Sequence, residues 1–271
     1  MPLITISQDY GSHGYYVAQR VAQELQLGLH DDETLRQAAV EMGVEKENLD
    51  ALKEQVPGFF DRLMGYKPDV YLNVLQRVVY NMASSNNGVI VGHGSQLLLK
   101  DFGCALHIRI ITPADKRIRY FIEEKGLDEE VAAKLVRSKD EEFKNFFRYA
   151  FNLDINDPLL YDLVLNTDKI GIETLISHII QLAQSNDVTE CSIDALAIMK
   201  CRALEMKIRE KLIQSDVTTK GIKIKVTEPG KILIHGVVYD ELEQQRIGAV
   251  LDTIAELDDA KVNIAVAPKD G

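Results

Sequence analysis

A glycine-rich turn near the start of the chain has the residue types of a phosphate-binding loop. Gly11, Ser12 and Gly14 follow the β-branched run of residues 3–7 and precede apolar residues at helical spacing. Backbone N–H groups and the positive end of a helix attract phosphate at such a turn. The Lys and the following Ser/Thr of a Walker A sequence are absent. We therefore expect either a phosphate cradle or only the tight strand–helix turn of any doubly wound sheet.

Two histidines are candidate phosphate donors. His13 lies in the first turn, and His93 lies between Gly92 and Gly94 in a second turn that follows the apolar run of residues 88–91. An imidazolium can donate to phosphate, but much of an unperturbed histidine population is neutral at pH 7. Each histidine is therefore interpreted either as a ligand contact or as a surface-loop residue.

Basic residues concentrate in the middle of the chain: Lys116, Arg117, Arg119, Lys134, Arg137, Lys139, Lys144 and Arg148. Acidic residues interleave densely with them, which is typical of a solvated pair of charged helices. The alternative is a lid that closes on phosphate. Aromatic residues at 143–151 are interpreted as core packing rather than as base-stacking groups.

A possible metal site at His30, Asp31, Asp32 and Glu33 is set aside. Adjacent residues at the start of a helix point in different directions, so Asp31 or Asp32 is better explained as a helix N-cap. We assign no metal ligands and no hydrolase triad.

The elements around these residues alternate strand and helix, which predicts an α/β fold with a parallel sheet. Apolar runs near residues 3–7, 88–92, 105–111 and 161–167 predict strands, and helical patterns separate them. A polar stretch at 184–187 is interpreted as a linker. The remaining chain predicts helix, β-hairpin, helix and strand, which is a small α+β module. We therefore expect two domains, residues 1–184 and 185–271.

The composition limits the classes of function. The 271 residues contain 31 Lys+Arg and 42 Asp+Glu, for a net charge of −11 with neutral histidines, and 46% are hydrophobic. This hydrophobic content favours a folded chain, and the acidity argues against nucleic acid as a partner. The N-terminus does not look like a signal peptide, and no run of 18 apolar residues is present, so we expect a cytoplasmic protein.

The order of the segments resembles the cytidylate kinase-like family over roughly residues 1–183. The resemblance is carried by ITISQDYGSHGYYVAQRVAQEL, GVIVGHGSQLLLKDFGCALHIRIITPADKRI, KDEEFKNFFRYAF and DPLLYDLVLNTDKIGIE. It implies a P-loop kinase-like fold, with a five-stranded parallel sheet flanked by helices and a mobile lid. It also implies ATP, with Mg²⁺, as the phosphoryl donor to a nucleoside monophosphate such as CMP.

The resemblance assigns roles by position. It places Gly11, Ser12, His13 and Gly14 at the cofactor, and Gly92, His93 and Gly94 at the monophosphate substrate. Arg117 falls at the approach to the lid, and Arg137 and Arg148 fall on the lid-side helix, so these three are the candidate catalytic cations.

Departures from the family pattern count against catalysis. Family members usually have Arg at the positions of Gln8, Tyr15, His93 and Phe143, and Gly at that of His13; Lys144 is adjacent to Phe143. Phosphoryl transfer depends on positioning and charge stabilisation. The sequence therefore favours a degenerate kinase that binds nucleotide or phosphate with weak or no phosphotransfer, in a regulatory or docking role. The alternatives are an active nucleoside monophosphate kinase with rearranged cations and a ligand-free protein-interaction scaffold.

Residues 188–271 loosely resemble a BON domain, a small α+β module often associated with membranes or partner proteins. The hairpin has four lysines, Lys220, Lys223, Lys225 and Lys231. They either protect a sheet edge from strand pairing or contact an anionic surface. A protein partner or an anionic membrane surface is the partner that this module predicts.

Overall fold

Two compact units make up the chain. The computed structural model describes residues 3–41, 58, 60–61, 68–84, 87–189, 193–228, 230–255, 257 and 259–266. The first unit comprises Met1–Tyr71 and Ser85–Cys191, and the second comprises Leu72–Ser84 and Ser192–Gly271. The stretch 72–84 thus belongs to the second unit although its neighbours on both sides in sequence belong to the first.

The first unit contains a five-stranded parallel sheet, as the family resemblance implies. Its strands are β1 (Leu3–Gln8), β2 (Leu29–His30), β3 (Gly88–Val91), β4 (Ala105–Ile111) and β5 (Leu163–Asn166). They are arranged in the order β2-β3-β1-β4-β5. β1, β3 and the centre of β4 are buried, which explains their continuous apolar runs.

Helices connect these strands. They are α1 (Gly14–Glu24), α2 (Asp32–Glu41), α3 (Pro68–Ala83), α4 (Ser95–Leu98), α5 (Ala114–Lys125), α6 (Glu129–Phe151), α7 (Ile172–Ala183) and α8 (Asn186–Thr189). Asp31 caps α2, since its Oδ1 atom accepts the Thr34 N–H at 3.0 Å. Residues 31–53 have a polar, acidic pattern that predicts a helix. α2 confirms it as far as Glu41, and its remainder lies outside the described residues. α8 overlaps the stretch interpreted as a linker.

The strand order determines where a ligand would bind. β1 lies at the centre of the sheet, with β3 on one side and β4 on the other. In open α/β sheets, ligands bind beyond the carboxyl ends of the strands, at the point where the strand order reverses. The turn after β1 and the turn after β3 therefore lie at the same edge of the sheet.

A buried histidine in the sheet gives a test of pH dependence. His107 Nδ1 lies 2.8 Å from Thr5 Oγ1. Burial lowers the pKa of the His107 imidazole below its ordinary value of 6.5, against the opposing charge of Asp162. The folded state therefore binds fewer protons than the unfolded state as the pH falls below 6.5, and stability is lost in that direction.

We expect the free energy of unfolding, measured with urea, to fall as the pH is lowered from about 7.5 to about 5.5. His107→Gln should make this dependence shallower. His178→Gln, at an exposed position on α7, should leave it unchanged. An equal pH dependence in the wild type and His107→Gln would contradict the assignment.

The second unit has the predicted order of helix, two strands, helix and strand. Its elements are α9 (Ile193–Gln214), β6 (Ile222–Glu228), β7 (Lys231–Val238), α10 (Glu241–Asp252) and β8 (Asp259–Val266). β6 and β7 are antiparallel, whereas β7 and β8 are parallel, in the order β6-β7-β8. Ile208, Ile234 and Ile247 are fully buried in its core. No helix within the described ranges is long and apolar enough to cross a membrane.

Candidate functional site

The first glycine turn is tightly folded. The Ser12 N–H donates to Asp9 O at 3.1 Å, and Gly11 between them has φ +88. A Cβ atom at Gly11 would lie 2.8 Å from the Phe121 ring, so both the backbone conformation and the packing require glycine here. His13 precedes α1 with φ 63, in the left-handed region, and its side chain does not cap the helix. The turn therefore places the first N–H groups of α1 at the edge of the sheet.

Ser12 is the residue of this turn that points most clearly to a ligand. Its side chain is fully buried, and its hydroxyl has no hydrogen-bond partner among the described residues. A buried hydroxyl without a partner is unfavourable. An anion bound at the start of α1 would satisfy it together with the backbone donors.

The Gln8 side chain lies against the start of α1. A Cβ atom at Gly14 would lie 2.6 Å from Gln8 Oε1, so the Gln8 amide fills the space beside the start of α1. Tyr15, the next residue, donates its hydroxyl to Asp31 at 2.7 Å. Within the described ranges, no cluster of His, Cys, Asp or Glu could hold a metal ion. The donors that this loop offers are the Ser12 hydroxyl and the first N–H groups of α1.

The second glycine turn is buried, and its histidine forms a hydrogen bond with an aspartate side chain. His93 is 0% exposed, and its Nε2 atom lies 2.9 Å from Asp32 Oδ1. The interpretation of His93 as a surface-loop residue is therefore wrong. A Cβ atom at Gly94, which has φ +66, would lie 2.5 Å from the Phe151 ring.

Aromatic side chains fill the space above this second turn. Phe143 and Phe147 of α6, with Ile155, the end of β1 and residues 92–94, line a residual cavity of about 10 Å³. That volume is at the lower limit for a single water molecule. The family pattern has Arg at the position of Phe143. A phenylalanine therefore lies beside the second turn at the position where the family pattern has Arg.

Arg117 is buried and already has partners. Its two terminal nitrogens donate to the Asp140 carboxylate at 2.8 and 2.9 Å, and Nε donates to Thr112 O at 2.9 Å. Nη1 also donates to Tyr10 O at 3.3 Å. Burial by itself lowers the pKa of the Arg117 guanidinium, but the Asp140 carboxylate raises it, and the net shift is upward. Arg117 therefore holds the first glycine turn and α6 together.

The other two predicted catalytic cations are exposed on α6, and the structure brings only Arg137 to the site. Arg137 lines a cavity of about 330 Å³ together with Arg109, Arg117 and Lys144. Asp9, Asp140 and Glu141 also line this cavity, so its charge is mixed. Arg148 is not among the lining residues.

Arg109 is a site residue that the sequence analysis missed. Its guanidinium donates to Asp9 Oδ1 at 2.6 Å and to Ser7 Oγ at 3.2 Å, with 5% of the side chain exposed. Its Nε has no hydrogen-bond partner in the described part of the chain. The available signal was the spacing of His107 and Arg109, two residues apart in an apolar strand, which places both on one face.

Comparisons with known proteins agree with this geometry. The model of the cytidylate kinase-like family matches residues 3–169. The cytidylate kinase of Pyrobaculum islandicum is 28% identical over 180 residues, which cover 65% of this chain and 89% of that protein. The cytidylate kinase of Ignicoccus hospitalis is 26% identical over 182 residues, covering 66% and 97%.

A solved structure of an uncharacterized protein from Eubacterium ventriosum shares the fold. It covers 69% of this chain and 100% of that chain, with a TM-score of 0.55 and 20% sequence identity. The family model, the parallel sheet and the two glycine turns lead to one conclusion. This chain belongs to the cytidylate kinase-like family.

Proposed function

We propose that this protein binds a nucleotide through its phosphates at the first glycine turn and transfers phosphoryl groups weakly or not at all. The observation that carries the proposal is the contrast between the two turns. At the first, the buried Ser12 hydroxyl has no partner in the described residues. At the second, Phe143 and Phe147 line a cavity of only about 10 Å³ beside residues 92–94, where the resemblance implies the acceptor.

The positions and partners of the cationic side chains support weak or absent phosphoryl transfer. Arginines that stabilise a transferring phosphoryl group contribute about 10³–10⁵ in rate. Here Arg117 is bound to Asp140, and Gln8 fills the space beside Gly14. Neither residue supplies an uncompensated charge at the loop.

ATP is the ligand that family membership suggests. The N–H groups at the start of α1 and the Ser12 hydroxyl would hold its phosphates, and Arg137 and Lys144 would add positive charge from α6. Mg²⁺ would bind together with the nucleotide phosphates.

An active nucleoside monophosphate kinase is the second candidate function. It is favoured by the cavity in which Arg109, Arg117, Arg137 and Lys144 meet. Four cations near the first turn form a rearranged set that would have to replace the family arginines. Activity would also require more room for an acceptor beside the second turn, where Phe143 and Phe147 line a cavity of only about 10 Å³.

Calorimetry with ATP, with and without Mg²⁺, tests binding. We expect binding in both conditions, and Ser12→Ala should weaken it about tenfold, the equivalent of one hydrogen bond to a charged group. Ser95→Ala is the matched control, because Ser95 also has a buried hydroxyl without a partner in the described ranges but lies after the second turn. Its affinity should be unchanged.

A coupled-enzyme assay with Mg-ATP and CMP, UMP, AMP or dCMP tests transfer. We expect no robust turnover with any of them. Turnover would establish the active kinase instead. An absence of nucleotide binding would contradict the proposed ligand and would favour a protein-interaction scaffold.

For the second unit we propose a docking role, with a protein partner or an anionic membrane surface as the alternatives. The helix–strand–strand–helix–strand order and the lysines of the hairpin support this role, as does the BON-like resemblance. The family relationship supports a cytoplasmic location.

A further inference from the structure

A groove runs between α9 and the strand β6 in the second unit. It has a volume of about 800 Å³. Ala197, Ile198 and Cys201 of α9 form an apolar part of its wall, and Lys223 and Lys225 of β6 line it as well.

β6 is an edge strand of the described sheet, and side chains of α9 bond to two positions of its outer edge. In an antiparallel pair, alternate residues turn both backbone groups away from the partner strand. The Val226 N–H donates to Glu205 Oε1 at 2.9 Å, and Ile222 O accepts from Arg209 Nη2 at 3.4 Å. Ile224 lies between them in the same alternating set, so its N–H and C=O point into the groove.

The charges beside Ile224 are positive and uncompensated. Lys223 and Lys225 are exposed and share one face of β6, and neither makes an ion pair with another described residue. The acids nearby have their own partners: Glu205 pairs with Arg202 at 3.1 Å, and Glu228 pairs with Lys231 at 2.8 Å.

We propose that an extended peptide with alternating acidic and apolar residues adds to β6 as a fourth strand. Its backbone would exchange two hydrogen bonds with Ile224. Side chains two residues apart lie on one face of a strand, so two carboxylates would lie opposite Lys223 and Lys225. The apolar side chain between them would point to the other face, toward Ile198 and Cys201.

The shape and charge of the groove favour this partner over the alternatives. A bilayer surface is flat and would not enter a concave groove. A second copy of β6 paired at this edge would place lysines against lysines, which is destabilising. The inference rests on the docking role proposed for the second unit and does not depend on nucleotide binding.

Amide NMR of the full chain with a blocked Thr-Glu-Val-Glu-Thr peptide tests the proposal. We expect the Ile224 amide signal to shift, with a Kd of about 1 mM or below. The same peptide with Lys in place of both Glu residues should not bind, and neither should one whose central Val is N-methylated. An absence of shifts at saturating concentrations, shifts away from β6, or equal binding of the Lys peptide would overturn the proposal.

Charge reversal supplies the matched variants. Lys223→Glu with Lys225→Glu should weaken peptide binding at least about tenfold. Lys261→Glu on β8, the other edge strand, should leave it unchanged. ATP calorimetry on the same variants should match the wild type, which separates this proposal from nucleotide binding. Binding to vesicles that contain phosphatidylglycerol is measured with the same variants. A membrane surface is the partner instead if the charge reversal abolishes vesicle binding and the peptide does not compete with it.

Discussion

Replacing Arg109 by methionine is expected to lower the free energy of unfolding of the first unit by about 3–5 kcal/mol. Arg109 donates to Asp9 Oδ1 at 2.6 Å, and the two side chains are only 5% and 16% exposed. Methionine fills much of the same volume but leaves the Asp9 carboxylate largely buried without its cation. Urea denaturation followed by circular dichroism measures the change.

Lys116→Met is the control for this experiment. Lys116 pairs with Asp168 at 3.2 Å, but its side chain is 44% exposed, so its loss should cost at most about 1 kcal/mol. Adding Asp9→Asn to the Arg109→Met variant should restore part of the stability, because the unpaired charge is removed. A loss below about 1 kcal/mol for Arg109→Met alone would show that water compensates Asp9.

The second large effect is expected for Gly236→Ala in β7. Gly236 has φ +157, and a Cβ atom there would lie 2.1 Å from Gly221 O and 2.9 Å from Ile222 Cα. Both neighbours are backbone atoms, so β6 and β7 would have to separate. We expect a loss of about 3 kcal/mol, at the upper end of the range for overpacking, and a lower melting temperature of the second unit in calorimetry.

Gly248→Ala is the opposite case. Gly248 is exposed on α10, and a Cβ atom there would meet nothing within 4 Å. Alanine is favoured over glycine inside a helix by about 1 kcal/mol, so this variant should be more stable than the wild type. Equal stability of the two alanine variants would contradict the close approach described at Gly236.

The sheet was predictable where a strand forms a wholly apolar run that ends at a turn residue. Residues 88–91 fit this description and end at a glycine, and β3 is found there. β2 has only two residues, which is too short for any repeating pattern, and it was not predicted.

The site was predictable only in part, because long-range packing determines it. The glycine turn after β1 was evident from its sequence. The partners of Arg117 and the burial of His93 were not, since Asp140 and Asp32 are distant along the chain. The interpretation of the α6 aromatic residues as packing residues holds for Phe143, Phe146 and Phe147, which are buried, whereas Tyr149 is exposed. No periodicity shows that Phe143 lies beside the second turn.

The helix α3 has a consequence for the order in which the chain is made. Residues 72–84 belong to the second unit, where Arg77 bonds to Glu210. They leave the ribosome long before residues 192–271 exist. The rest of the second unit begins more than a hundred residues downstream of this stretch. Four of its apolar residues are buried in the finished protein: Val74, Leu75, Val78 and Val79. A nascent chain that ends after the first unit would expose this apolar face, so we expect chaperones to recognise it at that stage.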